Sequence, residues 1–339
     1  MNIPMIIKAV GFLAVLSIPA LGFSDYVLHI AISALLWGFI YTGWSVMGRF
    51  GLVSLGHGAF MGIGAYMVTM LWNHAGITPW IGIPVAVVVS MAVGFMIGFP
   101  CFRFRITGHY FALVTLALSE VVRLLIVALR DYTGGSLGVT PDSVISADTP
   151  NSFIAMQFSD KVTWFYIVVA VWVVGLLVWR AVDRSMIRYA MEAVSQEEDA
   201  AASLGVHVTR TKLIVTMISA GMTAVGGAIY GQYQLYINPE TTSGIAISLQ
   251  IVFAAIAGGM FVQLGPTVGA VITLLLTEGL RQTVGHDVHG LDVMIYGAML
   301  VLFIIYMPRG VLGRVIEVFE NRTGGTSGPT TQPRPQPGE

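Results

Sequence analysis

Trp80-Ile81-Gly82-Ile83-Pro84-Val85-Ala86-Val87-Val88-Val89-Ser90-Met91-Ala92-Val93-Gly94-Phe95-Met96-Ile97-Gly98-Phe99-Pro100 runs without a single Asp, Glu, Lys or Arg. A helix of that length reaches across the roughly 30 Å hydrocarbon layer of a bilayer, which takes about 20 apolar residues. The strict apolar/polar alternation of an outer-membrane barrel strand is absent, so the stretch reads as a membrane-spanning helix. Arg103 and Arg105 follow it directly and mark where it leaves the lipid.

Working outward, nine further stretches of the same kind lie between charged or Pro/Gly-rich breaks, near residues 4–23, 27–47, 52–72, 108–130, 162–182, 211–235, 245–262, 266–283 and 290–307. The expected fold is therefore an all-α polytopic membrane protein of about ten spans. Lys8 leaves the first stretch short, so it is read as a retained span, with a cleaved signal segment as the alternative. Composition agrees: of 339 residues 55% are hydrophobic and only 10% charged, where soluble domains carry about 25%. Seventeen basic and eighteen acidic residues leave a net charge of −1 and no broad basic face for nucleic acid. Cys101 is the sole cysteine, which excludes an internal disulfide and any multi-cysteine metal centre.

Basic residues fall at alternate loops: Arg49; Arg103 and Arg105; Arg180, Arg184, Arg188, Arg210 and Lys212; Arg309 and Arg314. Short loops rich in Lys and Arg stay cytoplasmic, so both termini are expected there. Residues 131–161 carry Asp131, Asp142, Asp148 and Asp160 against Lys161 and are placed outside. Residues 320–339, dominated by Gly, Pro, Thr and Gln, read as a disordered cytoplasmic tail.

Four Gly-x-x-x-Gly spacings (Gly58/Gly62, Gly94/Gly98, Gly227/Gly231, Gly265/Gly269) suit close helix contact. Gly51, Gly56, Gly58, Gly62 and Gly64 crowd one stretch, where unwound backbone beside a cavity is expected. Ser54, His57, Gly62, Gly64 and Tyr66, with Thr115 and Thr273, are candidates to line a path through the bundle. An internal echo aligns residues 112–123 (ALVTLALSEVVR) with 270–281 (AVITLLLTEGLR), sharing Thr115/Thr273, Glu120/Glu278 and Arg123/Arg281. Two repeats, spans 3–5 and 7–9, follow from that echo. Each Glu and Arg stand at i and i+3 on one helix face, near the span end, either as structural ion pairs or as part of an outer gate.

Several chemistries are missing. Lys8, Lys161 and Lys212 are the only lysines and none follows a glycine, so no phosphate-cradling P-loop exists. No carboxylate is placed at a span centre for ion coupling. His286, Asp287, His289 and Asp292 read as a solvated loop, with a metal site as the weaker alternative, and no metal or bound cofactor is expected. His57 and His109 read as polar residues at span ends, and no nucleophile–base pair can be assembled.

The largest inward segment, residues 183–210, holds a predicted helix over 191–205 with apolar or small positions at Met191, Val194, Ala201 and Leu204. Glu197, Glu198 and Asp199 carry charge at its middle and Gly205 is a natural stop. Asp199-Ala200-Ala201, three residues and Gly205 resemble the Glu-Ala-Ala loop of binding-protein-dependent ABC importers. Ser54-Leu-Gly-His-Gly-Ala-Phe60, Gly62-Ile-Gly-Ala-Tyr66, Leu113-Val-Thr-Leu-Ala117, Thr133-Gly-Gly-Ser136, Ala257-Gly-Gly-Met260, Gly265-Pro-Thr-Val-Gly-Ala270 and Met307-Pro-Arg-Gly310 together resemble the LivM-type permeases of the branched-chain amino acid family. The resemblance covers about 30–316. Asp199 stands where the family usually has Glu, and Glu192, Ser195 and Gln196 stand where basic residues are usual.

That resemblance implies a permease domain over 1–319 in a bacterial inner membrane, without an ATPase site of its own. It would pair with a sister permease, two cytoplasmic ATP-binding subunits and a periplasmic binding protein. Glu197, Glu198, Asp199, Ala200, Ala201 and Gly205 would form the ATPase-coupling element. The expected cargo is a branched-chain amino acid or related small solute, with urea, amides or aromatic acids as alternatives inside the family. A passive solute channel, an ion-coupled carrier and a membrane enzyme are the readings outside it.

Overall fold

The computed structural model describes residues 15–145, 151–283, 297–298 and 310–314. Ten labelled helices carry the architecture: α1 Asp25–Gly48, α2 His57–Ala75, α3 Pro79–Arg103, α4 Gly108–Ala128, α5 Lys161–Arg184, α6 Met186–Gln196, α7 Glu198–Ser203, α8 Val208–Gln234, α9 Ile245–Gly258 and α10 Gly265–Thr283. A one-turn helix, Pro239–Thr242, runs into α9. Among the described residues six helices are long and apolar enough to cross a membrane: α1, α3, α4, α5, α8 and Pro239–Gly258. Helices also occupy the stretches expected near 52–72 and 266–283, as α2 and α10. The tenth expected span lies almost entirely outside the described residues, as does most of the first.

Local chemistry explains the breaks. The Asp160 carboxylate accepts from the Val162 and Thr163 amides, 3.1 Å each, and starts α5. Those amide bonds hold its pKa below the ordinary carboxylate value. Thr78 followed by Pro79 opens α3, because proline at the first position loses no helical hydrogen bond.

The centre of the bundle is α1, where Tyr41, Trp44 and Met47 are fully buried against α5, α8 and α10. The second half of the core is the seam between α2 and α8. A Cβ added at Gly64 would lie 2.0 Å from the Ala224 carbonyl oxygen, and one at Gly227 2.1 Å from that of Met61. These glycines let two backbones touch; Gly227 belongs to one of the Gly-x-x-x-Gly spacings, Gly64 to none.

The glycine-rich stretch departs from expectation. Only residues 49–56 are non-helical, and α2 continues as regular helix through Gly58, Gly62 and Gly64. Close backbone packing on α8 outweighs the roughly 1 kcal/mol each glycine costs an isolated helix. The loop between α4 and α5 is not purely irregular either. Asn151–Ser152 pairs with Gln157–Phe158 in a small antiparallel ladder, and Val139 bridges Ile237. Trp72 and Trp80 tie the loop to α2 and α3 by donating to the Asp142 and Phe153 carbonyls at 2.9 and 2.7 Å.

Candidate functional site

Where α1 ends, Gly51 turns the chain at φ +80° and residues 52–56 run without regular structure before α2 begins, with Leu52, Ser54 and Gly56 buried. A helix start buried among apolar groups needs acceptors for its amides. Hydroxyls from three places supply them. Leu55 N–H donates to Thr115 Oγ1 (3.0 Å), Gly56 N–H to Ser54 Oγ (3.1 Å), Gly58 N–H to Ser248 Oγ (3.0 Å) and Ala59 N–H to Ser119 Oγ (3.2 Å). Ser119 and Ser248 join each other at 2.7 Å, so α2, α4 and α9 are knotted at one buried point.

His57 sits at that point, fully buried. Its Nε2 lies 2.7 Å from Ser219 Oγ, and the Ser219 hydroxyl donates to the Gly43 carbonyl at 2.7 Å. A hydroxyl has one proton, so Nε2 carries the hydrogen and Nδ1 is an acceptor. That Nδ1 has no hydrogen-bond partner among the described residues, and the same is true of the Tyr66 hydroxyl.

The α9 start converges on the same place. Gly244, at φ +93°, leads into α9, and a Cβ on Gly58 would lie 2.6 Å from the Gly244 carbonyl oxygen. Two helix N-termini, each with partial positive charge, therefore meet beside the hydroxyl knot. Arg123 lies against Gly244, whose added Cβ would stand 2.9 Å from Arg123 Cδ. Arg123 Nε donates to Glu120 Oε1 (3.0 Å) and Nη1 to Glu240 Oε1 (2.8 Å). The Glu120 and Arg123 side chains are 31% and 24% exposed, so this trio is open on one side.

The placement of Glu120 corrects the sequence expectation of charge near a span end. It stands mid-helix in α4, which runs Gly108–Ala128. Three hydrogen bonds from the Arg123 guanidinium hold it there. In the echoed copy Thr273 is buried like Thr115, and Glu278 accepts from the Tyr26 hydroxyl at 2.5 Å. The Arg281 side chain, His286, Asp287, His289 and Asp292 lie outside the described residues. Of the remaining path candidates, Gly62 and Gly64 pack against Ser243 and Ala224, while Ser54 and Thr115 belong to the knot.

At the opposite end of α8 the predicted helix over 191–205 is two helices. Glu197, at φ −155° and ψ 110°, breaks α6 from α7. Ion pairs impose the break. Lys212 Nζ bonds Glu198, and Arg105 Nη1 meets Asp199 at 3.0 Å, drawing α7 toward α8 and the α3–α4 turn. On the other side Arg188 bonds Glu192 (2.7 Å) and Asp183, and Asp183 bonds Arg49 (3.0 Å), which stacks on Trp179 at 4.1 Å. The Glu192 carboxylate raises the pKa of the Arg188 guanidinium above its ordinary value. Met191, Val194 and Ala201 are buried in this chain, Ala200 and Gly205 are exposed, and Leu204 is 85% exposed. A pocket of about 390 Å³ separates the α6–α7 hairpin from Phe50–Leu52 and Thr107.

The sequence matches the family described as branched-chain amino acid transport system / permease component over residues 26–304. The chain belongs to this family. The high-affinity branched-chain amino acid transport system permease protein LivM of Salmonella typhimurium is 31% identical over 84% of this chain and 69% of its own length. The LivM protein of Escherichia coli K12 is 30% identical with the same coverage. LivH of the same E. coli strain is 28% identical over 79% of this chain and 88% of its own. No solved structure matches. With several long apolar helices, this permease is a multi-pass membrane protein.

In this permease sequence reasoning missed Ser119, Ser219 and Ser248, because single serines inside apolar spans carry no pattern. It also missed the Arg49–Asp183–Arg188 cluster, whose members are far apart in sequence. Leu204 was visible only as one apolar position of a helix; its exposure is what singles it out.

Proposed function

We propose that this permease is one half of a heterodimeric translocation path of an ABC importer, moving branched-chain amino acids or related small amino acid solutes inward across the bacterial inner membrane on ATP hydrolysed by partner subunits. The anchored α6–α7 hairpin carries the reading. A coupling element must meet its motor on one side and be fastened to the spans on the other. The hairpin is fastened through Lys212 to α8, Arg105 to the α3–α4 turn, and Arg188 to the ends of α1 and α5. It presents Ala200, Leu204 and Gly205 outward. Glu197 gives it a hinge. Closure of the ATPases would displace the hairpin and shift α1, α3 and α8 together, reorienting the path between two states.

The path itself would run beside the Glu120–Arg123–Glu240 trio, with the sister permease supplying the other wall. An amino acid zwitterion carries both charges, and this place offers both complements. Arg123 and the starts of α2 and α9 suit a carboxylate; Glu120 and Glu240 suit an ammonium. Uncharged urea or amides need neither. Specificity would rest mainly with the periplasmic binding protein, and the basic loop face would be cytoplasmic.

The test is uptake into proteoliposomes holding this chain, its sister permease, the ATPases and the binding protein. Arg123→Gln should lower uptake about tenfold or more while leaving the complex assembled, since one charged hydrogen-bond partner is lost. Uptake that persists without ATP would instead favour a passive channel. Wild-type uptake by Arg123→Gln would remove the trio from the path.

A further inference from the structure

The outer face of α3 and α8 carries two adjoining cavities with opposite chemistry. One is a groove of about 700 Å³ lined by Val88, Met91, Phe95, Met96, Phe99 and Met217, with almost no polar surface. The other, of about 740 Å³, is lined by Arg103, Arg105, Arg210, His207, Glu198 and Asp199. Phe95 and Phe99 line both, so the apolar groove opens directly into the charged pocket. The groove lies along the span and the pocket at its end, where Arg103 closes α3 and Arg210 falls in the first turn of α8.

Charge within the pocket does not cancel. Asp199 is engaged by Arg105 and Glu198 by Lys212. Arg103 and Arg210 meet no carboxylate within 4 Å among the described residues. Two unmatched guanidiniums at the mouth of a hydrocarbon groove complement a molecule with a phosphate at one end and acyl chains at the other. A peptide or a sister helix would match the groove but leaves the guanidiniums without an anion. We propose that this is a binding site for an anionic phospholipid, its acyl chains along α3 and its phosphate between Arg103 and Arg210. Because Glu198, Asp199 and Ala202 line the same pocket, a bound headgroup would brace α7 against α3 and α8. The lipid site does not depend on the importer reading.

Native mass spectrometry of the full chain in mild detergent tests it with phosphatidylglycerol and phosphatidylcholine as probes. Each guanidinium beside a headgroup of net negative charge is worth about fivefold in binding, and the phosphate of phosphatidylcholine is offset by its own ammonium, so phosphatidylglycerol should be retained about 25-fold better. Arg103→Gln with Arg210→Gln should bring the two lipids level. Arg180→Gln with Arg184→Gln, at the C-terminal end of α5 and lining a different pocket, should leave the preference intact. Displacement of the lipid by millimolar inorganic phosphate would show a free-anion site that does not use the groove, and would overturn the proposal. Equal loss of preference from both double variants would do so as well, since it would reduce the effect to diffuse attraction by the basic face.

Discussion

Ser248 decides how α2 can begin in the interior. Its hydroxyl accepts from the Gly58 amide and lies 2.7 Å from Ser119 Oγ, which in turn accepts from Ala59. Ser248→Ala leaves a buried amide unsatisfied and should cost about 1–3 kcal/mol. The detergent-purified variant should lose its folded state at a visibly lower temperature than the parent, and an unchanged midpoint would mean that the knot is not what holds α2. Little of this was legible beforehand. Ser54, His57 and Thr115 stand out in the sequence, whereas Ser119, Ser219 and Ser248 look like any small polar residue in a span. Their importance comes from meeting across 60 to 190 residues of chain. Glu120 is the converse case: the residue was visible, but its mid-helix position is eased by its partial exposure and by Arg123, which in turn meets Glu240 from a distant turn.

Charge-free stretches made the long helices legible, because length and hydropathy alone determine them. Breaks imposed by tertiary contacts were not. Residues 191–205 are mostly good helix formers, so propensity predicts one helix; Lys212 and Arg105 bond Glu198 and Asp199 beside the break at Glu197. The glycines of α2 erred the other way, since local propensity argued for unwinding and the contact with α8 kept the helix. At its start α5 depends on a local device that can be measured. Asp160→Ala removes two amide acceptors and should cost about 1 kcal/mol. The pH dependence has a definite sign. The folded pKa of Asp160 lies below its ordinary value, so the cap stabilises fully above that value and is lost as pH falls through the folded one. The stability difference between parent and Asp160→Ala should therefore shrink on acidification below about pH 4. A difference that stayed constant or grew would contradict the capping role.

At the scale of the whole molecule, one end of the bundle gathers the basic turns and the α6–α7 hairpin, and the other gathers the tied-down acidic loop with its two tryptophan anchors. Between them the starts of α2 and α9 meet at depth. This is the arrangement expected of a subunit that receives motion at one face and changes a path in its middle. Changing Glu198 or Asp199 would also release the hairpin from Lys212 and Arg105, and a bulky residue at Ala201 would disturb this chain's own packing. Leu204 touches little within the chain and is the cleaner probe. The most direct measurement is co-purification of the full chain with its sister permease and ATPases in mild detergent, comparing the parent with Leu204→Asp. The account predicts that Leu204→Asp loses most of the ATPase while keeping the sister permease, and that uptake falls with it. A parent protein that transports while never associating with an ATPase would contradict the account.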